Sequence, residues 1–211
     1  MAKYLDLFKG DNPIDYNSID ETVVQKIAKA LLMKYVMVVG NKEFRICEIE
    51  FYVKNNNHDD KYTHGDSHQK TYGKWYFHRY PNGSYKSGTY KGLDLTFGNN
   101  DTFFGILIRS IYDNETDEMI DGPCKVVNKI LLLNDNEVHD VKEYMENRSS
   151  PLSARSTKNF YLKRKNLPLE RIYKGPRIGL SDKYPDWKNI NYRFVIKKNY
   201  IRKNKRNLIE L

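Results

Sequence analysis

Cysteine is nearly absent from this chain. The 211 residues hold only Cys47 and Cys124, both in apolar contexts and without C-x-x-C or Cys/His ligand spacing. That excludes a disulfide framework and a thiolate zinc site, and it fits a reducing compartment. Long apolar runs are missing too: none approaches the ~20 residues that a membrane span needs. Residues 1–10 lack the apolar stretch of a signal peptide. The expectation is a soluble intracellular protein, nuclear or cytoplasmic according to its host, with no membrane partner. Acid is in the minority, with 27 Asp+Glu against 36 Lys+Arg, a net charge of +9 and an isoelectric point near 9.3. Such a balance favours a polyanionic partner and electrostatically steered association. Nucleic acid leads, and a merely soluble basic protein is the alternative.

Aromatic residues are plentiful: they make up 13% of the chain, 17 of them Tyr, within a hydrophobic fraction of 39%. That is too much ring area for a disordered chain, despite a mean hydropathy of −0.77. The length supplies one well-filled core and is short for two ordinary domains. No internal repeat and no separate linker is visible. The division expected is an N-terminal extension over 1–17, one domain over 18–200 and a basic C-terminal tail over 201–211. Lys197, Lys198, Arg202, Lys203, Lys205 and Arg206 crowd that end, in the manner of a phosphate-contacting or nuclear-targeting segment.

Ser18-Ile-Asp-Glu21 is a capping-box pattern ahead of Val23, Val24, Ile27, Ala28, Leu31 and Leu32 at helical spacing, so a helix with an inward apolar stripe starts here. Residues 35–39 and 44–53, joined across Gly40-Asn41, read as an antiparallel hairpin. Residues 54–72 have no apolar period and form a long loop, a position that often carries function. Strand-like runs follow at 74–80, 85–97 and 103–111, separated by Pro81-Asn82-Gly83 and Gly98-Asn-Asn-Asp101. Residues 125–133 look helical, and 177–180 and 192–196 return to short strands.

The run Arg45-Ile-Cys-Glu-Ile-Glu-Phe-Tyr52 alternates so that Glu48, Glu50 and Tyr52 share one strand face while the opposite face is apolar. Two acids on one face make either a half-exposed sheet edge or the floor of an active site. Glu48 either raises the pKa of Glu50 by like-charge proximity or is a surface acid, and the second reading is preferred. His58, Asp59, Asp60, His64 and His68 contain metal-ligating groups, but no helical period sets them on one face. A solvated loop is the expectation, with no metal and no cofactor. Tyr76, Phe77, His78, Tyr80, Tyr85 and Tyr90, interleaved with Lys74, Arg79, Lys86 and Lys91, suit either base stacking with phosphate contact or ordinary cross-strand aromatic pairs.

The order of several pieces resembles the alkyladenine (3-methyladenine) DNA glycosylases of the human and bacterial type. Ala28-Lys-Ala-Leu-Leu-Met-Lys-Tyr-Val-Met-Val-Val39 is similar to that family's leading helix and first strand, and the 45–52 run to its catalytic strand with the pattern E-x-E-x-Y. Asp59-Asp-Lys-Tyr-Thr-His64, Gly105-Ile-Leu-Ile-Arg-Ser110, Gly122-Pro-Cys-Lys125, Arg177-Ile-Gly179 and Tyr192-Arg-Phe-Val-Ile196 follow in the same order. The resemblance covers roughly residues 25–200. It implies an α+β fold, a single compact domain with a curved antiparallel sheet and flanking helices, binding double-stranded DNA with a modified purine as a monomer. Carried over by position, Glu50 falls on the water-activating carboxylate, Tyr52 and His64 on residues that hold the flipped base, Arg109 on a pocket arginine and His78 on a further stacking aromatic. The duplex wedge is a tyrosine for which Tyr80, Tyr85 and Tyr90 are candidates, and Lys91, Lys197 and Lys198 join the DNA-binding set. Two departures stand out: the segment between Tyr80 and Leu93 is longer than the family's, and Asp94 replaces an expected asparagine. These bear on substrate more than on fold.

Breaking an N-glycosidic bond passes through a sugar with oxocarbenium character, so the site needs a carboxylate to activate water and a way to neutralise the leaving base. Glu50 suits the first role. No lysine follows the motif where a Schiff base would require one, so hydrolysis without strand cleavage is expected. The competing readings are a non-catalytic nucleic-acid-binding module that keeps the fold, and a hydrolase for a modified nucleoside or nucleotide outside duplex DNA.

Overall fold

A computed structural model describes residues 5–8, 14–134, 140–148 and 150–211. The first helix, α1 (Glu21–Lys34), buries Val24, Ile27, Ala28, Leu31 and Leu32, the stripe that the 3.6-residue period requires. Its N-cap is Asp20 rather than Ser18: the Asp20 carboxylate accepts from the Val23 amide at 2.8 Å. A carboxylate two residues closer to the first free amides displaces the hydroxyl from the capping role and also meets the positive end of the helix dipole.

Among the described residues, eleven strands follow the antiparallel pattern throughout. They are β1 (Tyr35–Val39), β2 (Lys42–Lys54), β3 (Tyr72–Phe77), β4 (Leu93–Phe97), β5 (Phe103–Asp113), β6 (Glu118–Asp121), β7 (Leu152–Ser153), β8 (Phe160–Arg164), β9 (Tyr173–Gly175), β10 (Arg193–Val195) and β11 (Ile209–Glu210). The main path runs β11-β9-β10-β2-β5-β4-β3-β7, with β1 between β2 and β8, and β6 on β5. The expected hairpin forms: β1 turns into β2 through Gly40 at φ +61, where a Cβ would stand 2.7 Å from the Leu133 carbonyl oxygen. Only glycine fits there on both counts.

The mixed α+β class with an antiparallel sheet is therefore present. The sequence places β2 as a possible edge, and the structure makes it central: β5 runs along one side, while β1 and β10 share the other. The 85–97 run is a strand only from Leu93; its first part is loop with a short turn at Gly88–Tyr90. Residues 177–180 form no strand, and β9 lies just before them.

One face of the sheet, carrying Phe44, Ile49 and Phe51, meets α1 and the helix α2 (Pro123–Asn134) in a continuous apolar core. The same core stacks Trp75 on Phe160 at 4.9 Å and sets Phe77 edge-on to Tyr144 of α3 (Val141–Met145). Described residues toward both termini join the domain. Leu7 and Ile14 are buried and Tyr16 donates to the Phe97 carbonyl at 2.6 Å; residues 1–4 and 9–13 of the expected extension lie outside the described residues. The 201–211 segment is no free tail, because Ile201 and Leu208 are buried and β11 pairs with β9. Its cations Arg202, Lys203, Lys205 and Arg206 face solvent. Among the described residues, no helix is long and apolar enough to cross a membrane.

Candidate functional site

The second face of β2 is built of charge. Glu48 and Glu50 are both buried, with exposures of 1% and 0%, which rules out the surface-acid reading of Glu48. Glu48 accepts from Arg193 Nε at 2.6 Å, Arg109 Nε at 3.2 Å and Ser110 Oγ at 2.7 Å. It anchors the two arginines instead of repelling Glu50. Glu50 accepts from the Ile178 amide at 2.7 Å on Oε1, and from the Tyr52 hydroxyl at 2.9 Å and Arg109 at 3.3 Å on Oε2. A buried carboxylate needs this full set of donors, since an unpaired one would cost several kcal/mol.

Strand register lays the neighbouring groups out in a row. Tyr76 opposes Asp94, Asp94 opposes Leu107, Leu107 opposes Glu50 and Glu50 opposes Arg193. Directly opposed residues share a face, at about 4.8 Å per strand step. Asp94 and Glu50 thus flank Leu107, about 10 Å apart along the sheet.

Above this row lies a cavity of about 200 Å³ walled by Tyr52, Tyr62, His64, His78, Arg109 and the 178–180 turn, with Asp94 and Leu107 on its floor and Gln69 and Lys86 at its sides. It is small beside the roughly 300–1,000 Å³ of pockets for drug-sized ligands and suits a single flat ring system. Tyr52, His64, His78 and Arg109, four of the expected site residues, all line it. Glu50 does not open into it; its carboxylate sits behind Tyr52 and Arg109, which touch both.

His64 and His78 meet edge to face at 4.7 Å. His78 Nε2 lies 2.7 Å from Asp94 Oδ1, and Gln69 Nε2 donates to Asp94 Oδ2 at 3.1 Å. Burial pushes the Asp94 carboxyl up, yet the His78 charge and hydrogen bond outweigh it and hold the group below its ordinary value. Lys86 Nζ approaches His64 Nε2 at 3.3 Å; an ammonium only donates, so this nitrogen accepts and the neutral ring carries its proton on Nδ1. Desolvation, then the nearby His78, lowers His64 to about 4. His64 is nonetheless exposed at the rim, so solvent screens part of that effect. Burial also lowers Lys86 and raises the Tyr52 hydroxyl, the latter aided by the Glu50 charge.

Behind the 178–180 wall is a pair the sequence reading missed. Arg177 and Asp60 form a fully buried bidentate ion pair at 2.5 and 3.1 Å. Arg177 also donates to the carbonyls of Phe51 and Trp187, both at 2.9 Å, and stands 4.6 Å above the Tyr52 ring. It holds Tyr52 and the Ile178 amide where Glu50 meets them. The sequence signal was Asp60 and Arg177 inside two of the motif matches, with nothing to pair them.

The expected DNA-binding residues divide. Tyr80 and Tyr90, 39% and 71% exposed, line an open groove of about 650 Å³ with Arg79, Pro81 and Tyr76, and this groove shares His64 and Lys86 with the cavity. Lys91 is half-buried between that groove and β4. Tyr85 is not available as a wedge, since it packs against the core and its hydroxyl donates to Ser150 Oγ at 3.2 Å. Lys197 and Lys198 do not belong to this surface. They follow β10 in the direction from Glu50 toward Glu48, away from Tyr52. Lys197 pairs with Glu170 at 3.3 Å and Lys198 donates to the Leu208 carbonyl at 3.0 Å.

The loop histidines scatter. His58 stacks on Tyr192, Asp59 pairs with Lys61, and His68 contacts Asp66 at 2.8 Å. Among the described residues, no group of three or more His, Cys, Asp or Glu side chains gathers to hold a metal.

No family model matches the chain. It is 44% identical over 211 residues to a protein of Acanthamoeba polyphaga mimivirus, the uncharacterized protein L759, with 93% of this chain and 96% of the viral one covered.

Proposed function

The chain belongs to the family of the mimivirus protein L759, and for this member we propose a monofunctional N-glycosylase of the alkyladenine type. It would turn an alkylated or deaminated purine out of duplex DNA and hydrolyse its N-glycosidic bond, in base excision repair. The observation that carries the reading is the buried Glu50 carboxylate bonded to Tyr52 and Arg109, which themselves wall a ring-lined cavity. An alkyladenine-glycosylase-like arrangement of the sheet, with the E-x-E-x-Y strand at its centre, is part of the same proposal.

In this mechanism the flipped base enters between Tyr52, His64 and His78 while its sugar faces Glu50. Tyr52 gives way enough for one water to reach Glu50 Oε2; the glycosidic C–N bond breaks with its electron pair leaving on the base, the water oxygen bonds the cationic sugar carbon, and Glu50 takes the water proton, which can then neutralise a base that leaves as an anion. Catalytic hydrogen bonds commonly complete only when substrate is bound. Arg109, shared with Glu48, orients Glu50. Tyr80 and Tyr90, at the groove that continues the cavity, are the wedge candidates, and local cations supply affinity that falls with salt.

A second reading has an observation of its own. Both Glu50 oxygens are already engaged by protein donors, which suits a binding module in which Glu50 only shapes the site. Duplexes carrying hypoxanthine, ethenoadenine or 3-methyladenine separate the two. The enzyme releases free base, and Glu50→Gln, confirmed folded by thermal melting, abolishes release while binding survives. Absence of release from every modified duplex would remove the enzymatic proposal and leave the binding module.

A further inference from the structure

Asp94 is the one carboxylate among the described residues lining the cavity, and its environment defines what it can still accept. An ionised carboxylate offers about four lone-pair sites. Two bonds are visible, from His78 to Oδ1 and from Gln69 to Oδ2, so acceptor capacity remains on a group that faces the cavity. The donors around it are largely committed. Arg109 is turned to Glu48 and Glu50, Gln69 to Asp94, and Lys86 to His64.

The carboxylate is also unable to swing away. A Cβ on Gly105 would lie 2.3 Å from Asp94 Oδ2 and 2.7 Å from Gln69 Nε2, and one on Gly92 would lie 2.5 Å from His78 Nδ1. The backbone at Gly105 and Gly92 therefore packs directly against the Asp94, His78 and Gln69 cluster. A rigid, ionised acceptor on the floor of a cavity rewards a ligand N–H and penalises a ligand oxygen, through lost hydrogen bonding and charge repulsion together.

Resting on the base-pocket reading above, we propose that Asp94 is a specificity-determining residue that makes the cavity take a nucleobase presenting an exocyclic amino group over one presenting a keto oxygen. A hydrogen bond to a charged group discriminates by roughly 10- to 100-fold in affinity. Of the deaminated and alkylated purines, those that keep their amine are then the preferred class.

The test is equilibrium binding of free adenine, 2-aminopurine and hypoxanthine to the full chain by calorimetry, with the wild-type protein and Asp94→Asn. Adenine or 2-aminopurine should bind roughly 10- to 100-fold more tightly than hypoxanthine, and the variant should lose that ratio. Equal affinities, a preference for hypoxanthine, a ratio unchanged in folded Asp94→Asn, or no binding of any base overturns the inference. Should Asp94→Asn not fold, the wild-type ratio decides alone. Amine preference without base release from modified DNA would sink the glycosylase proposal and keep this one, whereas base release without amine preference would do the reverse.

Discussion

Removing Asp60 should damage this protein more than almost any other single polar change. Its carboxylate is the anionic partner of Arg177, both side chains are fully buried, and it also accepts from the Tyr62 amide at 3.1 Å and the Thr63 hydroxyl at 3.3 Å. Asp60→Ala leaves a guanidinium in the interior with two backbone carbonyls and no counter-charge. Breaking one side of such a pair costs about 3–5 kcal/mol, whereas replacing both partners with apolar groups of similar volume is often near neutral. Each kcal/mol moves the melting temperature of a chain of this size by about 2–4 °C. Asp60→Ala should accordingly melt about 6–20 °C lower. The double variant Asp60→Ala, Arg177→Met should recover much of that loss, although the Phe51 and Trp187 carbonyls then lack a donor. Thermal and urea denaturation of the wild type, both single variants and the double variant give the coupling energy directly. If Asp60→Ala stays within about 0.5 kcal/mol of wild type, an ordinary surface effect, the assignment of this pair as the brace behind Tyr52 and Ile178 is wrong.

The site offers two further measurements. Gly105→Ala drives a methyl into Asp94 and Gln69, an overpacking that costs about 1–3 kcal/mol; it should also weaken base binding more than a core substitution of equal thermal cost, and equal weakening by both would place Asp94 outside the recognition site. Acid should test His64: its folded value, near 4, lies below the ordinary 6.5, so between those values the unfolded chain binds the proton first. Stability is then lost as pH falls from about 6.5 to 4, by less than a fully buried imidazole would give because the ring is exposed. His64→Gln should flatten the profile in that window, and an unchanged slope in the variant would show that His64 is not held neutral.

The parts of this molecule that follow a local rule were readable in the sequence. The α1 stripe, the β1 and β2 hairpin across Gly40 and the alternation that puts Glu48, Glu50 and Tyr52 on one side depend on neighbours a few residues away. Helix α2 did too. Boundaries that depend on competition were not readable. Asp20 outcompetes Ser18 as the cap. Residues 85–92 have strand composition yet pair only at an isolated bridge between Tyr85 and Arg79 and through single backbone bonds to His78, and 177–180 gives its backbone to the cavity wall instead of to a strand. The basic C-terminal segment reads as a tail by charge, but Ile201, Leu208 and β11 tie it to the sheet.

Of the candidate site, Tyr52, His64, His78 and Arg109 were placed from the sequence and Lys86 was named as a phosphate-contacting cation, while Gln69 and the pairing of Arg177 with Asp60 were not found. The first set, Lys86 aside, was reached by carrying positions over from the glycosylase resemblance, which assigned no role to Asp60 or Arg177 although both lie in the matched stretches. The second acquires meaning only from partners far away along the chain, such as Asp60 and Arg177, which are 117 residues apart.

By itself, the sequence determined a basic, tyrosine-rich α+β chain with two acids and a tyrosine on one face of a strand, because composition and period-two alternation are local properties. Tertiary structure alone decided that this strand is central, that Glu48 braces arginines and that Glu50 lies behind the cavity wall. It also set Asp94 on the cavity floor. Burial and hydrogen-bond pairing are made between strands, and no single segment carries that information.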